Sequence, residues 1–265
     1  MLNNILFIVF IIFFGIFIIT LLINSIFFLI KGFKNRMYNI IIIGFGFAIL
    51  SLGFISNLVL NLGQLFQEFS IFISFILLVI FTNLTFHKNR GFIPNIVLIS
   101  VIILGLVQIG FFIYSIVGTW TLSLYYLRVW LDLPYTFLTF NWLAYSSFSS
   151  YLLMKSQKVN PWIKMRYKMV AIFSFIFSFS NIPEFFQPPG TSWAESDNVV
   201  SLLVFGITTM LVIVFSLGFA LAWIMPTSFK KFLDRNYEID EEVEYQEREL
   251  IDLIKKQLSQ KDEKL

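Results

Sequence analysis

The sequence has no cysteine and one histidine among its 265 residues, and only 13% of them are Asp, Glu, Lys or Arg. Each shortage removes a class of chemistry. Without thiols there is no disulfide framework, no thiolate nucleophile and no cysteine-bound zinc or iron–sulfur centre. One imidazole, in the short stretch His87-Lys88-Asn89-Arg90, makes neither a bis-histidine haem nor a His-rich metal site. Its neighbours predict a solvated loop residue, and no cofactor is implied. The charged fraction is about half the roughly 25% usual for soluble domains, so water is not the main solvent of this chain.

What is abundant is apolar: 58% of residues are hydrophobic and 34 are Phe. The excess of Phe, Ile, Asn and Lys is what AT-rich coding produces, and carries no functional weight. The apolar residues come in unbroken blocks long enough to cross hydrocarbon as helix, which takes about 20 residues. The blocks predict spans at about 4–30, 38–62, 66–86, 92–117, 131–154, 166–187 and 197–225. The first has no basic residue before it and no small-residue cleavage site, so it reads as a retained helix and not as a signal peptide.

Cytoplasmic loops carry the excess of Lys and Arg. The loops after the first, third and fifth spans hold Lys31, Lys34, Arg36, Lys88, Arg90, Lys155, Lys158, Lys164, Arg166 and Lys168. Those after the second, fourth and sixth contribute one basic residue, Arg128, and Glu68, Glu184, Glu195 and Asp197 also lie on that side. The expected fold is therefore all-α: a multi-pass protein of the cell membrane with a seven-helix bundle in residues 1–228. Its N-terminus lies outside, and residues 229–265 form a charged cytoplasmic helical tail.

Local chemistry marks some boundaries. Asn160-Pro161 reads as an N-cap followed by proline at the first position of the sixth helix, and Pro226 marks the exit of the seventh. Beyond it, Thr227-Ser228 can cap Phe229-Lys230-Lys231-Phe232-Leu233. That stretch suits equally a helix lying along the inner headgroups and a stop-transfer charge cluster. The tail from Asp234 contains eleven acids and six bases. Its Leu250, Ile251, Ile254 and Leu258 form a stripe at helical spacing, with Val243 a turn or two earlier. A docking helix for a cytoplasmic protein partner and a solvated acidic tail both fit.

The central parts of the spans contain no titratable residue. Asn24, Asn57, Gln108, Asn141, Ser174, Ser178 and Thr208 are read as interhelical hydrogen-bonding groups, and Gly44 and Ala48 as a small-xxx-small pair that lets two backbones approach. A proton-coupled transporter needs a titratable relay at membrane depth. Intramembrane hydrolysis needs an aspartate pair, a Ser-His pair or a metal site. Neither set is present, so the chain is not expected to be an enzyme. The basic loops are too short and too close to lipid for nucleic acid. The seventh span has no lysine to hold retinal, and the Asp-Arg-Tyr and Asn-Pro-x-x-Tyr motifs of G-protein-coupled receptors are absent.

One stretch departs from this blandness, Trp120 to Tyr135 at the outer end of the fifth span, with Arg128, Trp130, Asp132 and Pro134 inside it. If it is helical, Arg128 and Asp132 share a face and can pair, while Pro134 leaves the carbonyl of Trp130 without its donor. Alternatively Asp132 caps a helix that starts at Leu133, with residues 120–131 lying along the interface. Glu184 and Trp193 belong to the same side. An aromatic-walled vestibule with a few charges is one reading of Trp120, Arg128, Trp130, Asp132, Tyr135, Glu184 and Trp193. An interfacial aromatic belt around a structural ion pair is the other. On the first reading the protein is a receptor-like sensor for a small or lipidic ligand, with the lipid bilayer and a cytoplasmic protein as partners. Facilitative transport of an uncharged solute and a non-catalytic membrane subunit are the alternatives.

Overall fold

The structure is a computed structural model, and it describes residues 2–58, 63–87, 91–117, 122–155, 159–188 and 197–235. Every regular element in it is helical: α1 (Leu2–Asn35), α2 (Tyr38–Leu58), α3 (Gln64–Phe86), α4 (Ile93–Val117), α5 (Leu122–Lys155), α6 (Pro161–Phe177), a 3-10 turn (Ile182–Phe186), α7 (Val199–Ile224) and α8 (Thr227–Leu233). Six of them, α1–α4, α6 together with its 3-10 extension, and α7, are long and apolar enough to cross a membrane. This is a multi-pass membrane architecture, built that way because helices satisfy every backbone group internally where there is no water.

Long-range contacts fix the helix directions. Ser25 Oγ donates to the Gly44 carbonyl (3.0 Å) and Asn39 Nδ2 to Thr85 Oγ1 (3.0 Å), so α1, α2 and α3 alternate. Asn83 Nδ2 donates to the Pro94 carbonyl, and Gln108 Nε2 reaches the Arg128 carbonyl, which continues the alternation through α4 and α5. Phe10 against Phe205 and Phe28 against Phe219 then bring α7 back beside α1, parallel to it, and close the ring.

α5 is as long as α1, 34 residues, yet is too polar to belong to the apolar six. Its polarity faces inward: Thr136, Thr139, Ser146, Ser147 and Ser150 are buried, while Trp130, Tyr145, Phe148 and Leu152 are exposed. Burial is tolerable because Thr139, Ser146 and Ser150 donate to carbonyls one turn back in the same helix, at 2.7–2.9 Å. The helix also starts earlier than the apolar block that predicts it at 131, taking in Arg128 and Asp132. The sixth helix starts at Pro161, as the Asn160-Pro161 pair predicts and ahead of the apolar block at 166, and it breaks after Phe177 into turns and the 3-10 helix.

The phenylalanines that carried no functional weight in composition build the core. A chain of ring contacts runs from Phe10, Phe14 and Phe17 on α1 through Phe54 and Phe205. A second chain joins Phe28, Phe47 and Phe219 and ends with Phe215, Phe177, Phe140 and Phe75. Such pairs contribute about 0.5–1.5 kcal/mol each beyond area burial. Gly44 does admit a close backbone approach: a Cβ there would lie 3.1 Å from the Leu29 nitrogen.

His87 is a correction. It is buried, stacked on Trp142 at 4.5 Å, with Nε2 2.7 Å from Ser146 Oγ. The end of α3 meets the polar inner face of α5, so an imidazole expected in water finds an aromatic face and a hydroxyl instead. Trp142 Nε1 in turn donates to Asn83 Oδ1 at 2.8 Å.

Candidate site at the acidic end of the bundle

Apart from Asp234, which sits beside Lys230, the charges named here separate to opposite ends. Lys31, Lys34, Arg36, Lys155, Lys164, Arg166, Lys168, Lys230 and Lys231 lie where α1, α5 and α7 finish and α6 begins, whereas Glu68, Asp132 and Glu184 lie around Arg128. Glu68 and His87 are 19 residues apart on α3, so about 28 Å of helix separates the acidic cluster from the His87 contact.

Arg128 is central to the acidic cluster. α5 is continuous through Pro134, so Asp132 is not a cap and the Trp130 carbonyl is the one freed by the proline. Arg128 Nη2 lies 3.9 Å from Glu68 Oε1 on the neighbouring α3, with the two side chains 30% and 27% exposed. The Arg128–Asp132 pairing available within one helix face is not the one made. Asp132 Oδ2 accepts from Asn181 Nδ2 at 2.7 Å, and the same amide reaches Thr136 Oγ1 at 2.8 Å. Two neighbours decide this: α3 presents Glu68 to Arg128, and the break after α6 delivers Asn181 over Asp132. Arg128 is also the cation whose field reaches all three carboxylates, Glu68, Asp132 and Glu184. Tyr125 OH donates to the Glu184 carbonyl at 3.3 Å, holding the 3-10 turn against α5, and Gln187 Nε2 to Ser201 Oγ at 3.0 Å ties that turn to α7.

Below this layer lies Tyr135, 3% exposed, with its ring 5.1 Å from Phe75 and its hydroxyl buried without a hydrogen-bond partner. Gly105 on α4 makes the space, since a Cβ there would be 2.9 Å from that hydroxyl. The hydroxyl is within electrostatic reach of Asp132 and Glu68. Along α4 an open groove of about 390 Å³ is lined by Val107, Gly110, Phe111 and Tyr114.

Of the residues predicted for a vestibule, Arg128, Asp132, Tyr135 and Glu184 come together. Trp130 does not: it is 62% exposed and meets Phe185 edge-on at 5.0 Å. Trp120 and Trp193 lie outside the described residues, as do Leu250, Ile251, Ile254 and Leu258 of the tail stripe. Sequence reasoning missed Glu68, Tyr125, Thr136 and Asn181 as members of the cluster. Glu68 carried a signal, being one of only five acids before the tail. Asn181 carried none, because only the turn after α6 brings it to α5. Among the described residues no group of three or more His, Asp or Glu side chains is placed to hold a metal ion. No family model, curated protein or solved structure matches this chain.

Proposed function

We propose that the chain is a seven-span, receptor-like membrane sensor whose acidic end faces outside and takes a small or lipidic ligand at the Arg128 cluster. The observation that carries this reading is the gathering of Arg128, Glu68, Asp132, Asn181 and Glu184, from α3, α5 and the segment after α6, over a tyrosine hydroxyl with no partner. A guanidinium, carboxylates and an unmet hydroxyl are the mixture that orients a ligand with a polar head. The seventh span is α5. It reaches from the level of Glu68 to that of His87, as α3 does, with its hydroxyls turned inward. The basic loops then lie in the cytoplasm. Ligand occupancy would shift the break after α6 against α5 and α7, and the tail would pass that shift to a cytoplasmic partner.

The test is thermal unfolding of the purified protein with lipid and metabolite pools. At least one pool should raise the midpoint, and Arg128→Ala should abolish that rise. No rise with any pool, or a rise untouched by Arg128→Ala, refutes the assignment.

A second reading, passage of an uncharged solute, is favoured by one observation. The side-chain oxygens of Ser147, Ser174, Thr208 and Thr209 are buried without partners on α5, α6 and α7, as polar groups along a solute path would be. Solute flux into liposomes that survives removal of residues 237–265 would favour it over signalling.

A further inference from the structure

The acidic end is short of positive charge. Residues 37–86, 91–154 and 169–229 include the connections from α2 to α3, α4 to α5 and α6 to α7. In these three segments Arg128 is the one Lys, Arg or His, against Glu68, Asp132, Glu184, Glu195 and Asp197. The field of Arg128 reaches three of those carboxylates, Glu68, Asp132 and Glu184. Its guanidinium lies 3.9 Å from Glu68, and among the described residues no cation stands within ion-pair distance of Glu184. One guanidinium therefore offsets one charge of three, and the carboxylates left over repel each other. The cluster is open to the surface, since Arg128 and Glu68 are 30% and 27% exposed.

It is short of hydrogen-bond donors as well. Asp132 Oδ2 accepts from Asn181, but the carboxylates of Glu68 and Glu184 accept no hydrogen bond from a described residue. A separate group points the same way. Tyr135 stands seven residues, about 10 Å of helix, below Arg128. A helical side chain leans toward the N-terminus of its helix, which is the Arg128 end of α5. The Tyr135 hydroxyl is buried without a partner, in electrostatic reach of Asp132 and Glu68, beside the bare backbone of Gly105. What would complete the cluster is a positively charged donor. A metal ion does not fit, because among the described residues no three His, Asp or Glu side chains converge on one point.

We infer that the Arg128 cluster takes a primary organic ammonium ion, its charge set against Glu68 and Glu184 and an N–H donated to the Tyr135 hydroxyl. The inference rests on the ligand-binding reading proposed above and names the class of ligand. Arg128 is then the positioning cation: without it three like charges face one another and the cluster opens.

The experiment measures the thermal midpoint of the full chain in uncharged detergent at fixed ionic strength. It is titrated with n-octylammonium, n-propylammonium, octyltrimethylammonium, octanoate or calcium. Octylammonium should raise the midpoint saturably, and octanoate and calcium should not. Octyltrimethylammonium has the charge without the N–H and should bind about fivefold more weakly for want of one hydrogen bond. A matching response to propylammonium identifies a soluble amine as the source of the group, and a response to octylammonium alone a membrane-dissolved one. Glu68→Gln and Glu184→Gln, which keep the shape and remove a charge, should each weaken the apparent affinity about fivefold, the upper range for one exposed ion pair. Tyr135→Phe should weaken it similarly without lowering the ligand-free midpoint, since the fold loses no hydrogen bond. The inference is overturned by no response to octylammonium, by an equal response to octyltrimethylammonium, by saturation with calcium, or by glutamine variants that titrate like the parent. A rise with octanoate that Arg128→Ala abolishes overturns it too, while leaving the ligand-binding reading in place.

Discussion

Asn181→Ala isolates the contact on which the acidic end depends. The side-chain amide holds Asp132 Oδ2 at 2.7 Å and Thr136 Oγ1 at 2.8 Å, joining the break after α6 to α5. A hydrogen bond to a charged acceptor contributes about 1.5–3 kcal/mol in soluble proteins, whereas interhelical bonds inside membrane proteins average about 0.6 kcal/mol. The cluster stands between these regimes, at the end of the bundle and partly exposed. The two bonds together should therefore contribute about 2 kcal/mol, some 1–1.5 of it through Asp132. The assay is reversible unfolding by SDS titration in mixed micelles, followed by helical circular dichroism. Four proteins are compared: the parent, Asn181→Ala, Asp132→Ala and the double variant. The coupling energy should be about 1 kcal/mol or more. Thr136→Val should lose a smaller amount, about 0.5 kcal/mol. Additive single effects, with coupling below about 0.3 kcal/mol, would mean that Asn181 and Asp132 are neighbours without being partners.

Other substitutions probe the rest of the fold. Gly206→Ala places a Cβ 2.3 Å from Phe10 Cζ and should cost about 1–3 kcal/mol by overpacking; Phe10→Leu in the same chain should recover part of the loss, and equal melting of both variants would contradict the packing. His87→Phe keeps the ring on Trp142 and loses the Ser146 contact. It should be milder than His87→Ala, by about 1 kcal/mol of stacking in the same unfolding assay. Because the chain has no cysteine, topology can be read without background. Gln64→Cys should react with an impermeant maleimide from outside intact cells, and Lys34→Cys only after permeabilisation. The reverse pattern would invert the proposed orientation.

The clustering at Arg128 shows where sequence legibility ends. Residues 120–135 stood out because polar groups near lipid are costly, and that cost is local and visible in a string of letters. The partner of Arg128 was not visible. Helix spacing offered Asp132, four residues on, but Glu68 takes the ion pair from 60 positions away in sequence. Asp132 goes to Asn181, which enters only because the sixth helix breaks. His87 failed for the same reason: its sequence neighbours are polar, and the Trp142 face that covers it belongs to α5.

The amino-acid sequence by itself determined that the chain is helical and lives in lipid, because unsatisfied backbone in hydrocarbon is prohibitive and the apolar runs are long enough to avoid it. It also determined which loops are basic. Only the tertiary structure decided that the hydroxyls of α5 are buried, since that depends on which face neighbouring helices cover. The same is true of the partners that Arg128, Asp132 and His87 take. Solvation acts on each residue where it stands, so composition reveals it, whereas pairing depends on distances that exist only once the helices have packed.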